Sequence, residues 1–136
     1  MQIRELDLKE LDIAYEVVAQ FYKELSYKEF EDTIYDMRET NYKMLGVFQR
    51  GTLCAYAGVE IRTNLLYGRH LELHEVVTGK IFRERGYAKK LLEYIFDYAK
   101  IAMSTNIVTF VKSKEHTSFL LHYGFEQQES TLVKKV

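Results

Sequence analysis

The spacing of the apolar residues changes twice between residues 70 and 111, and this change constrains the fold more than any other feature. The runs His70–Thr78 and Ile107–Val111 are rich in the apolar and β-branched residues typical of buried strands. Between them, an apolar stripe from Ala88 to Ala102 has the three- and four-residue spacing of an amphipathic helix. A strand, crossover helix and strand imply a parallel strand pair, and ligands of such sheets bind at the carboxyl edge. The sequence therefore predicts a mixed α/β fold with a site in the loop before this helix.

Three further helices are predicted from local signals. Capping boxes begin at Asp7, with Glu10 three residues later, and at Ser26, with Glu29 three residues later, so two helices precede residue 41. A short helix over Glu115–Tyr123 is ended by a glycine at position 124.

The remaining strands follow from runs of alternating or continuous apolar residues. A short strand surrounds Ile3, and Met44–Phe48 and Leu53–Arg62 form a pair around a tight turn. A last strand is predicted over Thr131–Val133. The predicted order is strand, two helices, three strands, helix, strand, helix, strand, in a single domain over residues 1–136.

Composition excludes several classes of protein. The chain has 136 residues with a formal net charge of -1, which argues against a protein that coats nucleic acid or an anionic membrane. Cys54 is the single cysteine, so neither an internal disulfide nor a cysteine zinc site is expected, and no metal site is predicted. No apolar run approaches the roughly 18 residues of a membrane span, and the chain start lacks the layout of a signal peptide. A cytoplasmic location is the default expectation.

The loop before the central helix carries the strongest chemical signal. Four cations fall within eight residues of a nearly neutral chain, at Arg83, Arg85, Lys89 and Lys90. A helix N-terminus presents unpaired N–H groups that suit a phosphate, and Gly86 lets a ligand approach the backbone closely. The motifs of P-loop and dinucleotide-binding proteins are absent from the sequence. The loop therefore predicts an anion site, although a solvated basic helix start would show the same residues.

The same residues resemble a known family. Arg83-Glu84-Arg85-Gly86-Tyr87-Ala88 is similar to the [R/Q]-x-x-G-x-[G/A] motif of the GNAT superfamily of N-acetyltransferases. The run Leu73–Thr78 precedes it at the spacing that this family shows, and Phe119–Phe125 is similar to the late aromatic signature of the family. The resemblance in element order covers nearly the whole chain, whereas the N-terminal third matches only in layout.

The resemblance implies a fold and a cosubstrate. It implies a central mixed, mostly antiparallel sheet with one splayed parallel strand pair, flanked by about four helices. It also implies acetyl-CoA as cosubstrate, with its pantetheine arm along the backbone of the central strand and its pyrophosphate on the loop amides. The cofactor-binding residues implied are Val76, Val77, Thr78, Arg83, Glu84, Arg85, Gly86, Tyr87, Ala88, Lys89, Ser113 and His116.

Acetyl transfer to an amine needs a proton acceptor near the nucleophile, because the ammonium form has no free lone pair. Glu72 and His74 occupy positions that match family acid/base residues, and two residues apart on a strand they share a face. Glu75 is a third candidate, which faces the other way unless a bulge intervenes. For the general acid, the family tyrosine position is occupied by Leu120. Tyr123, His122 or solvent could take its place, with packing as the alternative role of Tyr123.

Three functions remain open on the sequence. The resemblance implies an enzyme that transfers the acetyl group of acetyl-CoA to a primary amine of a small molecule, peptide or protein. A non-catalytic acyl-CoA-binding sensor is the alternative, which the leucine at the family tyrosine position favours. An anion-binding α/β domain unrelated to CoA is the third. The acceptor itself has no readable motif, and the family often forms homodimers.

Overall fold

The computed structural model of the protein describes residues 1–111, 113–128 and 131–136. Its strands are β1 (Gln2–Glu5), β2 (Lys43–Gln49), β3 (Thr52–Asn64), β4 (Gly68–Thr78) and β5 (Asn106–Thr109). Its α-helices are α1 (Leu11–Val18), α2 (Tyr27–Arg38), α3 (Tyr87–Ile101) and α4 (Lys114–His122). Short 3₁₀ turns cover Leu8–Glu10 and Lys80–Phe82.

The five strands form one sheet in the order β1-β2-β3-β4-β5. Every neighbouring pair is antiparallel except β4 and β5, which are parallel and are joined through α3. The parallel pair is the one that the change of apolar spacing predicts. The mixed, mostly antiparallel sheet with four α-helices confirms the predicted fold class.

Both predicted capping boxes are formed. The Asp7 side chain accepts a hydrogen bond from the Lys9 backbone while Glu10 accepts one from the Asp7 backbone, and α1 follows directly. At α2, the Ser26 hydroxyl and the Glu29 carboxylate satisfy each other's backbone N–H groups. These bonds use donors that the first turn of a helix otherwise leaves unpaired.

The sheet separates two core clusters. The first core cluster lies between the sheet and helices α1 and α2, and it includes Ala14, Val18, Phe30, Ile34, Tyr42, Tyr56 and Val77. The second core cluster lies under α3 and α4, and it includes Leu71, Leu73, Leu91, Leu92, Ile95 and Leu120. Cys54 is fully buried in β3, as a small core residue would be. Each face of the sheet therefore has its own helical cover, and a side chain's face decides which layer it meets.

Two sequence-based expectations about the C-terminal part are wrong. Thr131–Val133 is not a strand, and Leu132 and Val133 are almost fully exposed. A three-residue run with two apolar side chains, followed by two lysines, buries too little surface to offset the entropy of ordering it. The strand predicted over Ile107–Val111 ends at Thr109, and Phe110 and Val111 are exposed. Within the described ranges, every helix is too short or too polar to cross a membrane.

Candidate active site

The parallel strands β4 and β5 separate halfway along β4. Their pairing runs from His70 opposite Asn106 to Leu73 opposite Thr109, where the Thr109 hydroxyl donates to the Leu73 carbonyl. Beyond this point β4 continues to Thr78 and is paired on its other side with β3 alone among the described strands. The backbone of residues 74–78 therefore has one edge that pairs with none of the described strands, here called the groove, as in the splayed arrangement that the family resemblance implies.

A β-bulge lies at the point of separation. Val59 of β3 pairs with Leu73, and the preceding Gly58 pairs with Glu75, so His74 is the extra residue on β4. A bulge changes the strict alternation of side chains, and here it places His74 and Glu75 on the same face, towards α1 and α2. Both contact Tyr42 of the first core cluster. Glu75 is expected to share a face with Glu72 and His74 only if a bulge intervenes, and this bulge is present.

His74 lies in a cluster of charged side chains. Its Nε2 atom is 2.9 Å from Oε1 of Glu60 and 3.7 Å from Oε2 of Glu72. The Arg62 guanidinium is 3.4 Å from the other oxygen of Glu60 and 3.8 Å from the same oxygen of Glu72. Glu60 is only 2% exposed, whereas about a quarter of the His74 side chain is accessible. Sequence reasoning missed Glu60, because a glutamate in an apolar strand gives no signal of which cross-strand neighbours it meets.

Glu75 is held by tyrosine hydroxyls. Tyr42 donates to its Oε1 at 3.0 Å and Tyr22 donates to its Oε2 at 3.1 Å, while Tyr42 and Tyr56 share a buried hydrogen bond of 2.7 Å. Burial, with the carboxylate of Glu75 nearby, raises the pKa of Tyr22 and Tyr56. Burial, together with Tyr56 and Glu75, also raises the pKa of Tyr42. The three phenols therefore stay protonated, and both oxygens of Glu75 are occupied as acceptors.

Gly58 makes room for this network. A Cβ atom built on Gly58 would overlap the Tyr42 hydroxyl and lie 2.5 Å from its Cζ atom. Tyr42 thus crosses β3 at Gly58, which has no side chain. Gly58 is also the residue that pairs with Glu75 of β4. This explains why a glycine stands within the otherwise well-packed strand β3.

The basic loop reaches α3 through Gly86. This residue has φ +82°, a left-handed conformation that favours glycine, and nothing lies within 4 Å of where its Cβ would be. Gly86 is also the N-cap of α3 and makes no side-chain cap hydrogen bond, so the first turn of this 15-residue helix has no capping side chain at its N-cap. Arg83, Arg85 and Lys89 are exposed around it. The loop fits a phosphate group in conformation, charge and available space.

The other predicted site residues fall into two places. Ser113 caps α4 and lines a shallow depression with Thr117 and Gln127. His116 lies with its ring centroid 6.5 Å from that of Phe21, which precedes the Tyr22 that binds Glu75, so α4 begins on the groove side. Tyr123 instead packs against Phe119 and the second core cluster, beneath α3. The structure brings His74, Glu72 and Glu75 together, and Tyr123 lies apart from them.

Comparison with known proteins identifies the family. The sequence model of the acetyltransferase (GNAT) family matches residues 6–125. The chain belongs to this family. GNAT membership indicates an acyltransferase, and the resemblance to this family is confirmed.

Individual relatives are distant in sequence. An uncharacterized N-acetyltransferase of Bacillus subtilis (strain 168), YhdJ, is 29% identical over 66 residues, which are 48% of this chain and 46% of that protein. The match thus spans about half of that relative.

Solved structures match over the full length. Ribosomal-protein-alanine N-acetyltransferase from Brucella melitensis biovar Abortus 2308 superposes with a TM-score of 0.86 at 15% identity, covering 100% of both chains. Aminoglycoside N-acetyltransferase AAC(6')-Iy, solved in complex with CoA, gives a TM-score of 0.82 at 16% identity, covering 99% of this chain and 93% of its own. At these identities the likeness shows the fold.

Proposed function

We propose that the protein is an N-acetyltransferase that transfers the acetyl group of acetyl-CoA to a primary amine, through a single catalytic domain over residues 1–136. The observation that carries the proposal is the position of the open β4 edge, residues 74–78, between the Gly86 loop and the His74 cluster. One groove thus joins a site suited to phosphate with side chains suited to proton transfer. AAC(6')-Iy, a structural relative, binds CoA, which supports this cosubstrate.

The chain offers a binding surface for each part of acetyl-CoA, which supplies the activated acetyl group when bound. The amides of residues 83–88, with Lys89, would hold the pyrophosphate at the start of α3. The backbone of Val76, Val77 and Thr78 would pair with the pantetheine arm as an added strand. A backbone amide at Val76 or Val77 would stabilise the charge that develops on the acetyl oxygen. Ser113 and His116 would border the arm from α4.

The reaction requires two protons to leave the acceptor nitrogen, because an ammonium enters and an amide leaves. One proton ends on the sulfur of the released CoA, and the other reaches solvent through a base. We propose His74 as this base, because Glu75 already accepts hydrogen bonds on both carboxylate oxygens. Glu72 and Glu75 would add negative charge that attracts the ammonium. Tyr123 packs on the opposite side of the sheet from His74, so we propose solvent as the proton donor to sulfur.

An acceptor screen tests this function. The protein is mixed with acetyl-CoA and a panel of small-molecule and peptide primary amines, and free thiol is measured. The expected result is amine-dependent thiol release that falls about 100-fold in His74→Ala, with unchanged affinity for acetyl-CoA. A matched control, Glu93→Gln on the exposed face of α3, should retain activity.

A second function is favoured by one observation. Leu120, at the position of the family tyrosine, is 1% exposed and belongs to the second core cluster. A buried leucine can donate no proton, which is compatible with an acyl-CoA-binding sensor that lacks turnover. Tight binding of acetyl-CoA without thiol release for any amine would favour the sensor over the enzyme.

A further inference from the structure

Glu60 is the most buried charged residue of the site, and it contacts His74 directly. Its carboxylate is 2% exposed, with Oε1 at 2.9 Å from His74 Nε2 and Oε2 at 3.4 Å from the Arg62 guanidinium. A carboxylate removed from water needs a partner for each oxygen, and these two groups supply them. Glu72, opposite Glu60 in the strand register, lies too far from Nε2 to form a hydrogen bond.

The composition of this cluster favours proton chemistry over metal binding. Glu60, Glu72 and His74 could each offer one ligand atom within 4.8 Å of the others. However, Arg62 lies within 4 Å of both carboxylates and already supplies positive charge. A cation would have to displace both this guanidinium and the Nε2 hydrogen bond.

We propose that Glu60 is a positioning residue that fixes the tautomer of His74, an inference that rests on the proposed function. An ionised carboxylate can only accept a hydrogen bond, so Nε2 of His74 carries the ring proton and donates a hydrogen bond to Glu60. In the neutral ring the lone pair then resides on Nδ1. Nδ1 makes no hydrogen bond with the described residues and is not among the buried polar atoms that lack a partner. Its lone pair is therefore accessible to the acceptor amine.

The pair defines one proton transfer. A proton passes from the acceptor ammonium to Nδ1 of His74, and the electron pair of the broken N–H bond stays on the amine nitrogen. The ring becomes an imidazolium whose Nε2–H still donates to Glu60. The carboxylate stabilises this positive charge, and the proton then leaves Nδ1 for water. Glu60 touches neither the amine nor the cosubstrate and acts only through His74.

His70 provides an internal reference for this assignment. Its Nδ1 atom lies 2.9 Å from the carbonyl oxygen of Gly68, and a carbonyl can only accept a hydrogen bond. His70 is therefore expected to carry its proton on Nδ1, the opposite tautomer to His74. The two residues lie four positions apart on the same strand.

Nitrogen NMR of the imidazole rings tests the tautomer without requiring turnover. In ¹⁵N-labelled protein, at a pH where the rings are neutral, we expect His74 with its proton on Nε2 and His70 with its proton on Nδ1. Glu72→Gln should leave the His74 pattern unchanged, and Glu60→Leu should convert it to a mixture of tautomers while His70 is unaffected. A proton on Nδ1 of His74 in the unaltered protein, or an unchanged pattern in Glu60→Leu, would overturn the proposal.

Kinetic measurements distinguish a positioning role of Glu60 from a purely structural one. Glu60→Leu should lower kcat about 10-fold with little change in the KM for acetyl-CoA, because part of the His74 rings carry the wrong tautomer and the imidazolium loses its carboxylate partner. Glu60→Gln keeps an oxygen that accepts from Nε2 but lacks the charge, and it should keep the tautomer with an intermediate kcat. The Gln variant also serves if Glu60→Leu does not fold. A kcat equal to that of the unaltered protein in both variants contradicts the proposal, whereas absence of transfer in the unaltered protein contradicts only the proposed function.

Discussion

At the scale of single residues, the site depends on one glycine, Gly58. Gly58 lets Tyr42 cross β3 and bridge Tyr56 to Glu75, so a backbone without Cβ positions a carboxylate on the neighbouring strand. The contact between Tyr42 and Gly58 could not be predicted from the sequence, because it depends on the strand register.

Gly58→Ala is expected to destabilise the fold by about 3 kcal/mol, the sum of overpacking and of the buried hydrogen bonds that Tyr42 would lose. Urea unfolding measures this loss. In a Tyr42→Leu background the added Cβ has room, so the same change should cost much less. Equal costs in the two backgrounds would show that Gly58 serves some purpose other than making room for Tyr42.

At the scale of elements, the bulge in β4 links fold to site. Pairing with β5 ends at Leu73, immediately before the bulged His74, so the bulge and the groove begin together. The strand, helix and strand order and the parallel pair were predictable, because the apolar spacing changes from strand to helix and back to strand between residues 70 and 111. The bulge was not, because a one-residue register shift leaves the composition of the strand unchanged.

Deletion of His74 tests the role of the bulge. Removing the extra residue gives regular pairing with β3 and keeps Leu73, Glu75 and Val76 on their present faces, so the fold should persist. The groove should narrow as β4 and β5 pair further, and acetyl-CoA affinity should fall at least about 10-fold. Circular dichroism and calorimetric titration measure the two effects.

A matched deletion shows what register alone does. Removing Leu71 from the regular part of β4 would move later side chains to the opposite face, and this variant should not fold. If the His74 deletion also unfolds, or if it binds acetyl-CoA as the full chain does, the bulge does not create the groove.

At the scale of the whole molecule, the buried tyrosines couple stability to pH. Burial raises the pKa of Tyr42 and Tyr56, so the folded protein holds phenol protons that the unfolded chain releases above about pH 10. Because the unfolded state binds fewer protons there, the free energy of unfolding falls as pH rises. Above pH 10, each phenol lowers the free energy of unfolding by about 1.4 kcal/mol per pH unit. Below pH 10 the phenols add no pH dependence.

Chemical unfolding between pH 8 and pH 11 measures this dependence. Tyr42→Phe should be less stable at pH 8 but should lose stability less steeply above pH 10. Tyr35→Phe, an exposed tyrosine on α2, serves as the control and should follow the unaltered protein. The same slope in Tyr42→Phe and in the unaltered protein would mean that the Tyr42 phenol does not stay protonated in the fold.

The central claim is that acetyl-CoA binds in the β4 groove with its pyrophosphate at Gly86, and calorimetric titration tests it most directly. Acetyl-CoA and ATP are titrated into the unaltered protein, Gly86→Asp and Gly51→Asp. Gly51 is the matched control, because it also has a left-handed φ, +79°, with nothing within 4 Å, in the turn between β2 and β3. We predict binding of acetyl-CoA but not ATP by the unaltered protein and by Gly51→Asp, and affinity at least about 100-fold weaker, about 2.7 kcal/mol, in Gly86→Asp. Unchanged affinity in Gly86→Asp, or equal affinity for ATP, would contradict the account.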